Sequence, residues 1–72
     1  MSHAELLQLN TQQLARLDPK ELGRAFRAQA MVWHPDHHMQ KTEAERAYCN
    51  ARFRYVVDAY QALRRQAARA RA

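Results

Sequence analysis

The sequence predicts an all-α protein built around one antiparallel helical hairpin, on three observations. The first is residue type. Of the 72 residues 47% are hydrophobic, but 14 of these are Ala, there is no Ile, and only three Val, one Gly and two Pro occur. β-Branched residues suit a pleated, half-buried surface, and Gly and Pro make its tight turns. Ala, Leu, Arg, Gln and Glu, which dominate here, lose least side-chain freedom in a helix. The second is periodicity: large apolar residues recur at spacings of three and four in two separate stretches. The third is punctuation. Asp18-Pro19, and Thr42 with Glu45, read as helix starts, and Pro35 between them reads as a stop.

Each element follows in chain order. Ala4 to Leu9 carries Leu6, Leu7 and Leu9 and reads as two turns of helix ended by Asn10. Thr11 then caps a further turn through Leu14 and Leu17. At Asp18 the carboxylate can accept from orphan backbone N–H groups, Pro19 suits the first helical position, and Glu21 stands where a capping box places an acid. The helix over 19–33 aligns Leu22, Ala25, Phe26, Ala30 and Trp33, with Gly23 weakening it and Gln29 adding polar character beside the stripe. Pro35 disfavours the α conformation at His34 and ends it.

Residues 36–42 form a loop. From Thr42 a pattern without Gly or Pro sets Cys49, Phe53, Val56, Tyr60 and Leu63 on one face of a helix over 43–65. Beyond Leu63 nothing large and apolar remains to hold the chain, so residues 66–72 read as a frayed basic Ala/Arg tail. Helix 19–33 therefore packs antiparallel on helix 43–65, with Trp33 near the loop and Leu22 at the far end. The N-terminal leucines cover the open side.

Size and composition exclude several classes. The length fits one domain and leaves no room for a deep pocket, so no enzyme activity and no cofactor are expected. No run is apolar enough to span a bilayer, and the N-terminus lacks the basic-then-apolar order of a secretory signal. The lone Cys49 makes no internal disulfide and falls on the apolar stripe as a core thiol; a cytoplasmic monomer is the expectation. His34, His37 and His38 offer imidazoles but not the closed four-ligand geometry of a structural zinc site, so no metal is expected.

Charge is unevenly placed. Residues 1–36 balance Arg16, Lys20, Arg24 and Arg27 against Glu5, Asp18, Glu21 and Asp36, so the whole net charge of +5 lies in residues 37–72. Arg64, Arg65, Arg69 and Arg71 crowd the end of the chain.

The feature a plain hairpin does not need is His34-Pro35-Asp36 at its tip. Ahead of it, ELGRAFRAQAMVW (21–33) places Phe26, Arg27 and Trp33; after it, ARFRYVVDAYQAL (51–63) places Phe53, Asp58-Ala59-Tyr60 and Leu63. Over residues 4–65 this resembles the J domain of the DnaJ co-chaperones, in which two antiparallel helices display HPD in their connecting loop and a short first helix lies across them. The resemblance implies residues 1–65 as a J domain whose fourth helix is missing or frayed. It also implies docking on a DnaK-type chaperone, the seventy-kilodalton heat-shock ATPase, and stimulation of its ATP hydrolysis.

In that reading Asp36 engages an arginine of the ATPase near its interdomain linker. Pro35 holds the turn, and His34 hydrogen-bonds within the loop and presents an imidazole edge. Arg24 and Arg27 match basic positions that steer an acidic patch, Phe26 packs between them, and Phe53 matches an exposed aromatic near the same surface. Several positions depart from the family pattern: Gly23, Ala28 and Val32 stand where charge is common, and Gln29 stands for a core Leu. The long stretch from Asp36 to Tyr60 is closer to the iron–sulfur co-chaperone HscB, although that family's client-binding domain is not among these residues, and client and assembly partner stay unassigned.

Plainer readings stand beside these. His34-Pro35-Asp36 alone is also a common helix stop. Phe26 and Phe53 are equally well core residues, and Trp33 reads as core. Two other functions remain open. One is a small basic module that binds nucleic-acid phosphates through Arg64, Arg65, Arg69 and Arg71. The other is a J-like hairpin that serves only protein interaction.

Overall fold

The computed structural model describes residues 2–71, and its elements begin where capping chemistry places them. Helix α1, His3–Leu6, starts at Ser2, whose hydroxyl accepts from the Glu5 N–H at 3.1 Å. It is shorter than the two turns expected because the chain reverses at Gln8, with φ of 56°. There the Leu9 N–H donates to Ala4 at 2.8 Å and the Gln8 N–H to Glu5 at 3.1 Å. These are the paired bonds of a Schellman stop, with Gln in the place Gly usually takes. Helix α2, Thr11–Arg16, is capped by Asn10 rather than Thr11: Asn10 Oδ1 accepts from the Gln13 N–H at 2.8 Å, and Gln13 Oε1 accepts from the Asn10 N–H at 3.0 Å. Both donors at the helix start are thus satisfied reciprocally.

The hairpin follows the sequence closely. Helix α3 spans Pro19–Trp33, with Asp18 accepting from the Lys20 N–H at 3.0 Å. Glu21 does not complete a capping box; one of its oxygens lies 3.5 Å from the Arg16 guanidinium instead. Helix α4 spans Glu43–Arg71. At its start Thr42 and Glu45 form a full capping box: the Thr42 hydroxyl accepts from the Glu45 N–H at 3.2 Å and donates to Glu45 Oε1 at 2.8 Å, which also takes the Thr42 N–H at 3.3 Å. Those bonds favour the ionised carboxyl and hold Glu45 below the usual carboxylate range, the hydroxyl contributing most.

The core lies between α3, α4 and the N-terminal segment. Leu6, Leu7, Leu17, Leu22, Val56, Ala59, Leu63 and Ala67 form one buried cluster, and Ala25, Phe26, Trp33 and Tyr60 pack against it half-buried. Cys49 is buried as a free thiol. The leucines of the first 17 residues thus close the open side of the hairpin, as their pattern predicted.

At the C-terminus the structure departs from the expected fraying. Helix α4 continues unbroken through Arg71, and Ala67 is only 4% exposed. Ala67 lines a crevice with Pro19, Leu22, Tyr60 and Arg64 at the start of α3. A small side chain suffices as an anchor where two helices approach closely, and Ala and Arg are strong helix formers. The long axis of 44 Å is set by this helix. No helix among the described residues is long and apolar enough to cross a membrane.

Candidate functional site: the turn between α3 and α4

Pro35 dictates the local conformation. His34 is held extended at φ −60° and ψ 134°, so it ends α3, and the chain re-enters a single 3-10 turn over Pro35–His38. His34 also caps that turn. Its Nδ1 accepts from the Asp36 N–H at 3.2 Å, and its carbonyl accepts from the His37 N–H at 3.0 Å. Acceptance at Nδ1 uses the lone pair of that nitrogen, as in the tautomer that carries its proton on Nε2. The Asp36 carboxylate lies 3.7 Å from the same nitrogen.

Two consequences follow for Asp36. Its backbone is fixed by the cap, while its carboxylate points outward with 78% of the side chain exposed. The imidazole of His34 is fixed in turn by Phe53 of α4, whose ring meets it edge-on at 5.5 Å and 77°. The loop is thus tied to both helices, and its carboxylate is left free to accept hydrogen bonds.

Arg27 and Asp36 border one shallow groove, completed by Ala30, Met31, His34 and His37. Met31 is 64% exposed, a large apolar side chain lining the same groove as a cation and an anion. Arg27, Met31 and His34 stand at i, i+4 and i+7, a spacing that could have drawn attention to Met31 in the sequence. Arg24 is exposed but borders a different groove, with Leu7, Gln8, Leu9, Gln13 and Gln29, on the side toward the N-terminal segment.

Phe26 is not sandwiched between the arginines. It is half-buried and stacks on Tyr60 of α4 at 4.3 Å and 20°, joining the two helices. Of the sequence-nominated residues, His34, Pro35, Asp36, Arg27 and Phe53 are brought together, while Arg24 lies to one side and Phe26 lies inside. Trp33 is half-buried, with Tyr48 edge-on at 5.9 Å and the Arg52 guanidinium 4.9 Å over its ring. Among the described residues no three His, Cys, Asp or Glu side chains gather as a metal site would require.

The DnaJ domain family model matches residues 5–71. The chain belongs to the DnaJ-domain family. The matched span takes in the whole hairpin, the HPD turn and the C-terminal turns of α4 up to Arg71. No curated protein and no solved structure gives a significant match to the chain.

A J domain is a co-chaperone module that carries no catalytic group of its own, and the HPD turn has that character. It presents one carboxylate, one imidazole and a flanking cation at the tip of the hairpin.

Proposed function

We propose that this J domain docks on a DnaK-type chaperone in the cytoplasm through Asp36, His34, Pro35, Arg27 and Phe53, and stimulates its ATP hydrolysis. The observation that carries the reading is the exposed Asp36 carboxylate on a backbone fixed by its neighbour's imidazole. A ligand shifts a partner's equilibrium only by binding one of its states better than another. A charge-assisted contact between Asp36 and an arginine of the ATPase, made only in the hydrolysis-competent state, is worth about 1.5–3 kcal/mol once desolvated. That amounts to a roughly ten- to hundredfold bias toward hydrolysis.

Arg27 and Arg24 contribute steering. Exposed charges accelerate encounter with an acidic patch more than they deepen affinity, and salt weakens them. Binding of the full chain to an ATP-loaded DnaK-type chaperone tests the surface. The wild type binds and loses affinity as salt rises, Arg27→Glu binds more slowly, and Asp36→Asn dissociates faster. If both variants bind and dissociate as the wild type does, the surface is misassigned.

A further inference from the structure

The end of the molecule remote from the HPD turn carries charge that this docking does not use. We propose that the C-terminal half of α4 is a sequence-neutral nucleic-acid site that grips phosphates through Arg64, Arg65 and Arg69. All three side chains are exposed, and among the described residues none of them forms an ion pair. Asp58 is the last acidic residue of the chain, and at the start of α3 the Asp18 carboxylate is engaged in capping and Glu21 lies against Arg16. Lys20 is exposed at the same end, at the start of α3.

The array is held in place. Burial of Ala67 against the start of α3 keeps the last turns of α4 helical, and Arg64 borders that same crevice. From residue 64 to 69 the helix rises ~7.5 Å, the axial length of about two phosphates on one strand of a duplex. Phe53, which marks the HPD turn on α4, precedes these arginines by ~17–24 Å of helix, so the two surfaces do not overlap.

The chemistry selects the ligand. Every cation after Asp58 is an arginine, and the planar guanidinium pairs with phosphate through two parallel hydrogen bonds. An anionic membrane is the poorer fit. After Leu63 the chain holds only Ala, Arg and Gln, whereas a helix that lies in a bilayer interface buries Trp, Phe or Leu. No aromatic residue stands there to stack on bases either, so the contact is to the backbone and indifferent to sequence.

Fluorescence polarisation of a labelled duplex of arbitrary sequence, about two helical turns long, tests this with the full chain. Three phosphate contacts predict a log–log salt slope of about −2.7, a roughly fortyfold loss of affinity between about 50 and 200 mM salt. The combined variant Arg64→Gln, Arg65→Gln, Arg69→Gln keeps its helical circular dichroism and loses most of the binding. Arg69→Gln alone makes the slope shallower by about one. Asp36→Asn binds as the wild type does. No binding at the lowest salt overturns the proposal. So does binding that survives the triple substitution, or retention on phosphatidylserine vesicles without any on nucleic acid.

Discussion

His34 Nδ1 accepts a hydrogen bond from the backbone N–H of Asp36 at 3.2 Å, so the first residue of the HPD turn sets the geometry of the last. The bond makes His34 a positioning residue. His34→Ala removes it and the edge contact with Phe53, while His34→Asn keeps an acceptor that suits a cap. One such hydrogen bond is worth about 1 kcal/mol. His34→Ala should therefore lower stimulation of the chaperone by at least roughly fivefold, and His34→Asn should lose less. Both should stay folded, with His34→Ala losing no more than the several degrees of Tm that about 1 kcal/mol represents in a domain of this size, because the imidazole lies outside the core cluster. Equal loss in the two variants would assign the role to the imidazole edge and not to the cap.

Gly23 is buried in the middle of α3, yet it has no steric need to be Gly. A Cβ there would meet only the Arg27 Nη1 atom, at an ordinary 3.5 Å. Gly23→Ala should raise stability by about 0.5–1 kcal/mol by reducing the freedom of the unfolded chain. For a domain of this size that is an increase in Tm of several degrees, read from a thermal melt.

Two non-glycine residues take left-handed backbone angles, Gln8 at φ 56° and Leu17 at φ 46°. The same substitution should have opposite effects at the two sites. Gln8 is exposed, so Gln8→Gly relieves strain of about 1 kcal/mol and stabilises. Leu17 is 7% exposed within the core, and Leu17→Gly gives up packing worth about 2–5 kcal/mol for the same relief. Denaturant midpoints of the two variants should move apart; movement in the same direction would contradict this account.

Glu45 gives a pH dependence. Its carboxyl is held below the usual range by the Thr42 hydroxyl and amide, so its folded value lies below its unfolded one. The capping box therefore supports the fold above the unfolded carboxyl value, and that support is lost as pH falls through the folded one. Thr42→Ala should flatten the acid limb of a stability-against-pH curve and leave its neutral-to-basic limb parallel to the wild type. An unchanged acid limb would show that the box does not couple to folding.

Where one side chain decided the backbone, the sequence was legible. Asp18-Pro19 and Pro35 bracket α3 at its observed ends, Pro19–Trp33, and Thr42 with Glu45 opens α4. The HPD turn was legible for the same reason. Choices between near-equal neighbours were not. Asn10 caps α2 in place of Thr11 because Gln13 can return the bond, and the turn at Gln8 has no glycine to announce it. Ala67 escaped notice because an apolar stripe is judged by its large residues, while tight helix contacts are made by small ones. Arg24 and Phe26 were grouped with Arg27 through the family resemblance. Only the packing of α3 on α4 and the N-terminal segment sends the three side chains to different places.

The central claim is that Asp36, fixed by His34, shifts a DnaK-type chaperone toward hydrolysis. Single-turnover ATP hydrolysis by the chaperone of the same source, with and without the full chain, tests it most directly. The account predicts faster hydrolysis with the wild type and a return to the basal rate with Asp36→Asn. Stimulation that survives Asp36→Asn, or none by the wild type on a chaperone that it demonstrably binds, would contradict it.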